Sequence, residues 1–261
     1  MIDIHTHLLP AVDDGSPNAD HSSMVIARMF QEGVRAIVCT PHLNASRAGS
    51  APFDEHTVLL AQLRRTAPED LELFHGFEIM LDTSAIDLLD ERLSLAGSHA
   101  RLVEFPRRGL PPDATDQLLD IRSQGLVPVV AHPERYHGCT TETIATWRDL
   151  GAVIQCDAMA LLGAGPMTDF AREMLGAGQV DILASDNHGD RRSLATAVLW
   201  LTEIGAADQA GILTAHNPAL LLTDRALHRV PPVSFQRGVF DRLRELIFRS
   251  PRRTPAGDLS Q

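Results

Sequence analysis

Short apolar segments alternate with amphipathic segments over about the first 205 residues of the chain. The apolar segments are rich in Val, Ile and Leu, which is typical of strands buried on both faces of a parallel sheet. This pattern predicts seven strands, at residues 2–5, 35–39, 71–79, 102–105, 127–131, 153–156 and 182–185.

The amphipathic segments between the strands have the spacing of helices that bury one face. They predict helices at residues 20–33, 54–65, 113–124, 141–150, 167–175 and 191–204. In the first of these, Asp20 can cap the beginning and Gly33 can end the helix. Strand alternating with helix implies a parallel sheet with right-handed crossovers. We therefore predict an α/β fold, a barrel of the (β/α) type slightly short of eight units.

The pattern changes after Asn217, and no internal repeat indicates a second domain. Residues 234–249 would present one apolar helical face, consisting of Phe235, Val239, Phe240, Leu243, Leu246 and Ile247. We predict a barrel over residues 1–222, a helical extension packed on it over 223–250, and a flexible tail over 251–261. A contact that forms a homo-oligomer is the alternative use of the apolar face.

The composition and charge of the chain exclude some classes of protein. The chain has 261 residues, 44% of them hydrophobic, and a net charge of −11. The negative charge argues against a nucleic-acid binder, which would normally show a basic face. No apolar run approaches the roughly 18 residues that a membrane span needs, and no secretory leader is visible. We predict a cytoplasmic protein without membrane insertion.

Cysteine and lysine usage excludes two kinds of covalent catalysis. The three cysteines are odd in number and widely spaced, so they form neither a disulfide framework nor a thiolate zinc site. A cysteine-dependent tyrosine phosphatase needs an arginine six residues after its nucleophile, and those positions hold Ala45, Ala145 and Leu162. The chain contains no lysine, which excludes a lysine nucleophile.

Histidines and carboxylates fall at the ends of the predicted strands. The first pair, His5 and His7 in MIDIHTHLLPAVDDG, is spaced so that both side chains of an extended strand point the same way. The carboxyl ends of barrel strands meet at one rim, where barrel enzymes carry their chemistry. The residues delivered to this rim are His5, His7, His42, Glu78, Glu104, His132, Asp157, Asp186 and His188. Imidazole and carboxylate ligands without thiolate suit manganese, iron or zinc.

The other histidines are not predicted to be ligands. His75 lies three residues before Glu78 and should face away from it, and His99 precedes its strand and should lie at the opposite end of the barrel. His21 and His56 lie in helical contexts that favour solvated or capping roles.

Six motifs resemble the polymerase and histidinol phosphatase (PHP) superfamily, and most closely its bacterial manganese-dependent tyrosine phosphatases of capsule and exopolysaccharide synthesis. They are MIDIHTHLLPAVDDG, TPH, GFEI, VEFP, AHPERY and ASDNHG, which occur in the family's order. VEFP and AHPERY favour the tyrosine phosphatase branch, because many other members of the superfamily place a histidine where Glu104 stands.

The resemblance implies a distorted seven-stranded barrel that holds three divalent metal ions, with manganese favoured over iron or zinc. His5, His7, Glu78 and Asp186 would bind one ion, and Glu78 would bridge to a second that also takes Glu104 and His132. Asp14, His42 and His188 would bind the third. The four carboxylates among these ligands would leave about two positive charges on three divalent ions, which matches a phosphate dianion.

The resemblance also implies hydrolysis of phosphotyrosine on a protein partner, such as a bacterial tyrosine kinase that regulates capsule or exopolysaccharide synthesis, by a hydroxide that the metals activate. Arg135 would clamp a phosphate oxygen, with Arg107 and Arg108 as further candidates. His42 or Asp14 would help to protonate the leaving phenol. The alternatives are a small-molecule phosphatase, for example for histidinol phosphate, a phosphodiesterase or nuclease, and a metal-binding module without turnover.

Two departures from the family's pattern affect this interpretation. TPHLNASRAGSAPF lacks the aromatic-rich loop that the family often shows after TPH, so the rim over the substrate is expected to differ. Asp157 stands where the family commonly carries an amide, and we do not count it as a ligand.

Overall fold

Parallel strands form the inner layer of the fold. The computed structural model describes residues 1–84, 87–106 and 109–235. Within these residues the strands are β1 Ile2–Thr6, β2 Ala36–Cys39, β3 His42–Asn44, β4 Glu72–His75, β5 Glu78–Met80, β6 Ala100–Glu104, β7 Val127–Ala131, β8 Val153–Asp157 and β9 Ile182–Ala184.

Two sheets wrap around a common interior. One has the order β1-β2-β4 and the other β3-β5-β6-β7-β8-β9, and every pairing is parallel. The chain after β9 returns to β1, because the Asp186 amide donates to the His5 carbonyl oxygen over 3.0 Å and the His7 amide donates to the Asn187 carbonyl oxygen over 2.8 Å. The predicted α/β architecture is therefore confirmed.

The single strand predicted over residues 71–79 is wrong, because the structure divides it into β4 and β5 in different sheets. The break lies at Gly76, where a Cβ atom would stand only 2.8 Å from Leu95 Cδ2 and 3.2 Å from Val38 Cγ1. Beside it, β2 gives way to the unpredicted β3 around Pro41, which has no N–H to continue a ladder. This double bend turns His42 and Glu78 towards the rim.

Helices cover the outside of the strands. They are α1 Ala19–Gln31, α2 Phe53–Thr66, α3 Ala114–Ser123, α4 Thr141–Asp149, α5 Pro166–Gly176, α6 Leu194–Glu203, α7 Ala207–Gly211 and α8 Asn217–Leu221. α6 begins three residues later than predicted, because Ser193 caps it by accepting the Ala195 amide. The sequence pattern missed α7 and α8, which are joined by a π-helical turn at Ile212–His216.

The core has an inner and an outer part. Leu102 and Val129 belong to a buried cluster on the inner face of the strands, while Val103 and Val130, one residue further on, pack with the covering helices. Glu104 and Gln155 lie two residues beyond the apolar Leu102 and Val153, so the inner face changes from apolar to polar at the carboxyl ends. The barrel thus presents a buried polar floor at one end.

The end of the described chain lies against the barrel. Residues 223–235 contain no helix, but Val230 and Val233 are buried and the Phe235 ring stacks on Trp200 with ring centroids 5.9 Å apart. Apart from Phe235, the residues of the predicted apolar helical face and the tail lie outside the described residues, so the proposed domain division stays a prediction. Among the described helices, none combines the length and the apolar character needed to cross a bilayer.

Candidate metal centre

Nine side chains meet at the carboxyl end of the barrel. They come from β1 and the residue after it (His5, His7), the loop before α1 (Asp14), β3 (His42), β5 (Glu78), β6 (Glu104), the residue after β7 (His132) and the loop after β9 (Asp186, His188). These are the nine ligands that the resemblance implies. The structure therefore brings residues that are up to 183 positions apart in the sequence together at one rim of the barrel.

Three overlapping groups could each hold a metal ion, because their ligand atoms lie within 4.8 Å of one another. The groups are His5, His7, Glu78 and Asp186; His42, Glu78 and Glu104; and His7, Asp14, His42 and His188. The structure thus adds His42 to the second group and His7 to the third. His132 lies beside the second group, with its Nε2 atom 2.6 Å from Glu78 Oε1 and 3.8 Å from Glu104 Oε2.

The first group is fully buried and has the geometry of a cation site. The Nε2 atoms of His5 and His7 are 3.3 Å apart, and each lies 3.2–3.3 Å from Glu78 Oε2 and Asp186 Oδ1. Neither oxygen accepts a hydrogen bond within the described part of the chain. Buried carboxylate oxygens without donors cost free energy. A divalent cation among these four atoms would remove that cost, so the residues fit a metal.

Hydrogen bonds orient the imidazole rings towards this point. His7 Nδ1 donates to Asp13 Oδ2 over 2.7 Å and His5 Nδ1 donates to Gln155 Oε1 over 2.9 Å. His188 Nδ1 likewise donates to the Asp186 carbonyl oxygen over 2.9 Å. With Nδ1 protonated in each ring, Nε2 carries the lone pair that binds a metal.

The sequence does not indicate that Asp13 and Gln155 orient the two histidines. The only signals for them are that Asp13 neighbours Asp14 and that Gln155 lies two residues before Asp157, on the inner face of β8. Neither signal identifies the histidine that the residue contacts. The partner of Gln155 is His5, which lies 150 residues away along the chain.

Two of the candidate ligands occupy the left-handed backbone region, His132 with φ 33° and Asp186 with φ 48°. Such a conformation costs free energy for a residue other than glycine, and it persists where neighbouring bonds hold it. The Tyr136 hydroxyl donates to the Ala131 carbonyl oxygen over 2.7 Å and accepts the Phe105 amide over 3.1 Å, which fixes the chain beside His132.

Two arginines reach the centre. Arg135 Nη2 lies 2.5 Å from carboxylate oxygens of both Asp157 and Asp186, and the side chain is 15% exposed. Arg192 Nη1 lies 3.2 Å from Asp186 Oδ2 and is 33% exposed. Asp157 therefore pairs with Arg135 and lies outside the three ligand groups. Sequence reasoning missed Arg192, whose only signal is its position shortly after ASDNHG, while Arg107 and Arg108 lie outside the described residues.

The charged groups of the centre shift one another's pKa values. Burial alone would raise the pKa of Asp186, but the positive charges of His5, His7 and Arg135 lower it well below its usual value. Burial alone would lower the pKa of His42, but the carboxylates of Glu104 and Glu78 raise it to about 10. The pKa values of His5 and His7 are raised as well, so without cations these three histidines carry the balancing charge. Metal binding would release those protons, as expected for imidazole and carboxylate ligands.

Four histidines outside the centre have partners elsewhere in the fold. His99 pairs with Asp224 at a distance of 2.8 Å and His75 contacts His56 with ring nitrogens 3.1 Å apart, so neither reaches the metal groups. The predicted solvated or capping roles of His21 and His56 are wrong. His56 is only 3% exposed, and His21 Nε2 donates to the Gly189 carbonyl oxygen over 2.5 Å, because both rings pack between elements distant in sequence.

Comparison with known proteins is consistent with this geometry. The family model described as "Capsular polysaccharide synthesis, CpsB/CapC" matches residues 1–223. The tyrosine-protein phosphatase YwqE of Bacillus subtilis is 28% identical over 247 residues, which cover 91% of this chain and 97% of YwqE. The tyrosine-protein phosphatase CpsB of Streptococcus pneumoniae is 26% identical over 243 residues, which cover 87% of this chain and all of CpsB.

A solved structure shares the architecture. It comes from the crystal structures of YwqE from Bacillus subtilis and CpsB from Streptococcus pneumoniae, which are described as unique metal-dependent tyrosine phosphatases. The superposition has a TM-score of 0.74 at 27% sequence identity and covers 91% of this chain and 100% of the other. The similarity thus extends over the whole barrel that carries the nine side chains.

Proposed function

The chain belongs to the CpsB/CapC family of capsular polysaccharide synthesis, and on that premise we propose that it is a metal-dependent protein-tyrosine phosphatase. The observation that carries the proposal is the convergence of nine imidazole and carboxylate side chains at one end of the barrel. Relatives that are tyrosine-protein phosphatases align along nearly their whole length. The six motifs lead us to place the family in the PHP superfamily.

We propose three divalent cations, with manganese as the expected ion and iron or zinc as the alternatives. His5, His7, Glu78 and Asp186 would hold the first, and Glu78 would be shared with the second. The complete set for the second is Glu78, Glu104 and His132, with His42 within reach, and the set for the third is Asp14, His42 and His188. Cations bound there would supply Lewis-acid activation of water and neutralise charge on the phosphate.

The arginines would orient the phosphate. Both contacts of Arg135 with Asp157 and Asp186 use Nη2, so within the described residues its Nη1 and Nε groups remain for a phosphate oxygen. Arg192 is more exposed and would hold a second oxygen from the side of Asp186. An arginine suits this task because its guanidinium stays charged and holds its remaining donors in a fixed plane. Arg107 and Arg108 remain further candidates for binding the substrate.

Proton transfer to the leaving oxygen would fall to the groups at the open side of the centre. His42 is 33% exposed and its Nε2 atom lies 3.3 Å from Asp14 Oδ1, whose side chain is 71% exposed. We propose that a water held beside this pair would deliver the proton, with His42 or Asp14 orienting it. The demand is modest, because the phenol of tyrosine has a pKa of about 10 and leaves more readily than an aliphatic alcohol.

The partner would be a phosphotyrosine protein, and the family's role in capsule synthesis makes a bacterial tyrosine kinase of that process the expected one. We propose that the reaction takes place in the cytoplasm. Homo-oligomer formation stays a prediction.

Rates on three substrates test the function. The manganese-loaded full chain should hydrolyse a phosphotyrosine peptide far faster than histidinol phosphate or single-stranded DNA. Glu78→Gln should remove this activity, because Glu78 belongs to two of the ligand groups. His99→Ala is the control, since His99 pairs with Asp224 at the other end of the barrel and its side chain is 65% exposed. A dominant rate on histidinol phosphate or on DNA would overturn the proposal in favour of that substrate class.

A further inference from the structure

One helix lies against the loop that carries three residues of the centre. This loop, residues 186–193, is called the metal-binding loop below because it bears Asp186 and His188 as well as Arg192. Its first residues are hydrogen-bonded to β1 and the residue after it. The Asp186 amide donates to the His5 carbonyl oxygen, and the Asn187 carbonyl oxygen accepts the His7 amide. Its far part, from Gly189 onwards, leads into α6 and also receives hydrogen bonds from side chains of another helix, α1.

Three side chains of α1 and its C-cap residue form hydrogen bonds with the far part of this loop. His21 Nε2 donates to the Gly189 carbonyl oxygen over 2.5 Å, and Arg28 Nη2 donates to the Asp190 carbonyl oxygen over 2.7 Å. Glu32 accepts the hydroxyl of Ser193, also over 2.5 Å. We call His21, Arg28 and Glu32 the brace. Positions seven and eleven residues apart return to nearly the same side of a helix with 3.6 residues per turn, so the brace forms one stripe along the metal-binding loop.

Bonds inside the loop cannot replace the brace. The Asn187 side chain donates to the Arg192 carbonyl oxygen over 2.7 Å and accepts the Gly189 amide over 2.8 Å. These bonds give the turn its shape, but they join the loop only to itself. They do not fix the distance between its far part and the loop that carries Asp14.

The same helix also holds the other side of the third metal group. The loop with Asp14 leads directly into α1, where the Ser22 hydroxyl donates to Ser16 Oγ over 2.8 Å. Across the gap, Asp14 Oδ1 and His188 Nε2 are 3.5 Å apart. The three elements are tightly packed where they meet, since a Cβ atom on Gly189 would stand 3.2 Å from both the His21 ring and Ser16 Cα.

We propose that His21, supported by Arg28 and Glu32, is a positioning residue that fixes His188 opposite Asp14 and so sets the affinity of the third metal group. The inference rests on the proposed function for the presence of metal. It assigns His21 no contact with metal or substrate. The first two metal groups contain no residue beyond Asn187 of the metal-binding loop and should be insensitive to the brace.

Metal binding is the direct test. Manganese affinity and stoichiometry are measured by calorimetric titration of the metal-stripped full chain, for wild type, His21→Ala, His21→Gln and Arg28→Met. His99→Ala is again the matched histidine control. The melting temperature of each metal-stripped protein is recorded, so that a general loss of folding is seen separately.

We expect His21→Ala to weaken one of the bound ions by roughly 10- to 100-fold, the range found when partners that orient ligands are removed, and to leave the other ions unchanged. His21→Gln should recover most of the affinity, because its amide keeps an N–H near the position of Nε2. Arg28→Met should give a smaller loss of the same ion. Equal weakening of all ions, or none in either His21→Ala or Arg28→Met, would overturn the inference. Absence of metal from the wild type would instead overturn the proposed function.

Discussion

Gly15 is the position where a single methyl group should damage the centre most. It lies between Asp14 and Ser16, and a Cβ atom placed on it would overlap the carbonyl oxygen and Cβ of His7 and stand 2.9 Å from the His7 carbonyl carbon. Ordinary contacts of a Cβ atom are 3.4–4 Å. The obstacle is mainly the backbone of His7, directly after β1, which cannot rotate away as a flexible side chain would.

In Gly15→Ala the loop must therefore retreat from His7 by about 1 Å, and Asp13 and Asp14 move with it. A misplacement of this size in a catalytic group costs about 10²-fold in rate. That factor corresponds to about 2.7 kcal/mol of activation free energy. We expect kcat/KM for a phosphotyrosine peptide to fall by about two orders of magnitude at saturating manganese.

Gly49→Ala is the matched control, because a Cβ atom at Gly49 meets nothing within 4 Å and should leave kcat/KM unchanged. Steady-state kinetics of both variants, with melting temperatures of the metal-stripped proteins, check the prediction. If Gly15→Ala retains kcat/KM within a factor of about three, the close approach of this loop to His7 does not position the centre, and the geometric reasoning fails.

Three further predictions concern acid stability, substrate binding and the kind of catalysis. Burial, and to a smaller extent the charge of His56, lowers the pKa of His75 to about 4. The unfolded chain, with a histidine pKa near 6.5, therefore binds this proton first, and stability should fall by up to about 3 kcal/mol between pH 6.5 and pH 4. Urea titrations of the metal-stripped protein should show a flatter pH dependence in His75→Phe, and equal slopes would contradict this. Asp157→Asn removes a negative charge that competes with phosphate for Arg135, so KM should decrease several-fold at similar kcat in steady-state assays, whereas an increase would show that Asp157 is needed to hold the arginine. Burial raises the pKa of every cysteine thiol, so iodoacetamide should leave activity intact while a chelator abolishes it reversibly, and loss of activity on alkylation would point to a thiol mechanism.

The sequence predicts the barrel well because its strands are apolar on both faces and separated by amphipathic helices, which are local patterns. The rim could be predicted for the same reason, since the carboxyl ends of parallel strands meet at one side. The division of residues 71–79 into β4 and β5 was not predictable, because it depends on how closely Leu95 approaches Gly76. That contact exists only in the folded chain.

The interactions that orient the ligands were missed for a related reason. His21, Gln155 and Arg192 are unremarkable where they stand in the sequence, and each gains a role only through a partner that the fold brings near. His21 and Gly189, for example, are 168 positions apart. Residue type and place on a strand indicate the candidate ligands, whereas the side chains that hold them are indicated only by the folded structure.

Anomalous diffraction from crystals grown with manganese tests the central claim most directly, because it locates the ions without any assumption about the substrate. Three peaks are expected at the carboxyl end of the barrel, one in each ligand group, with Glu78 shared by two of them. Peaks elsewhere on the protein, or a centre that takes up neither manganese nor iron nor zinc, would contradict it.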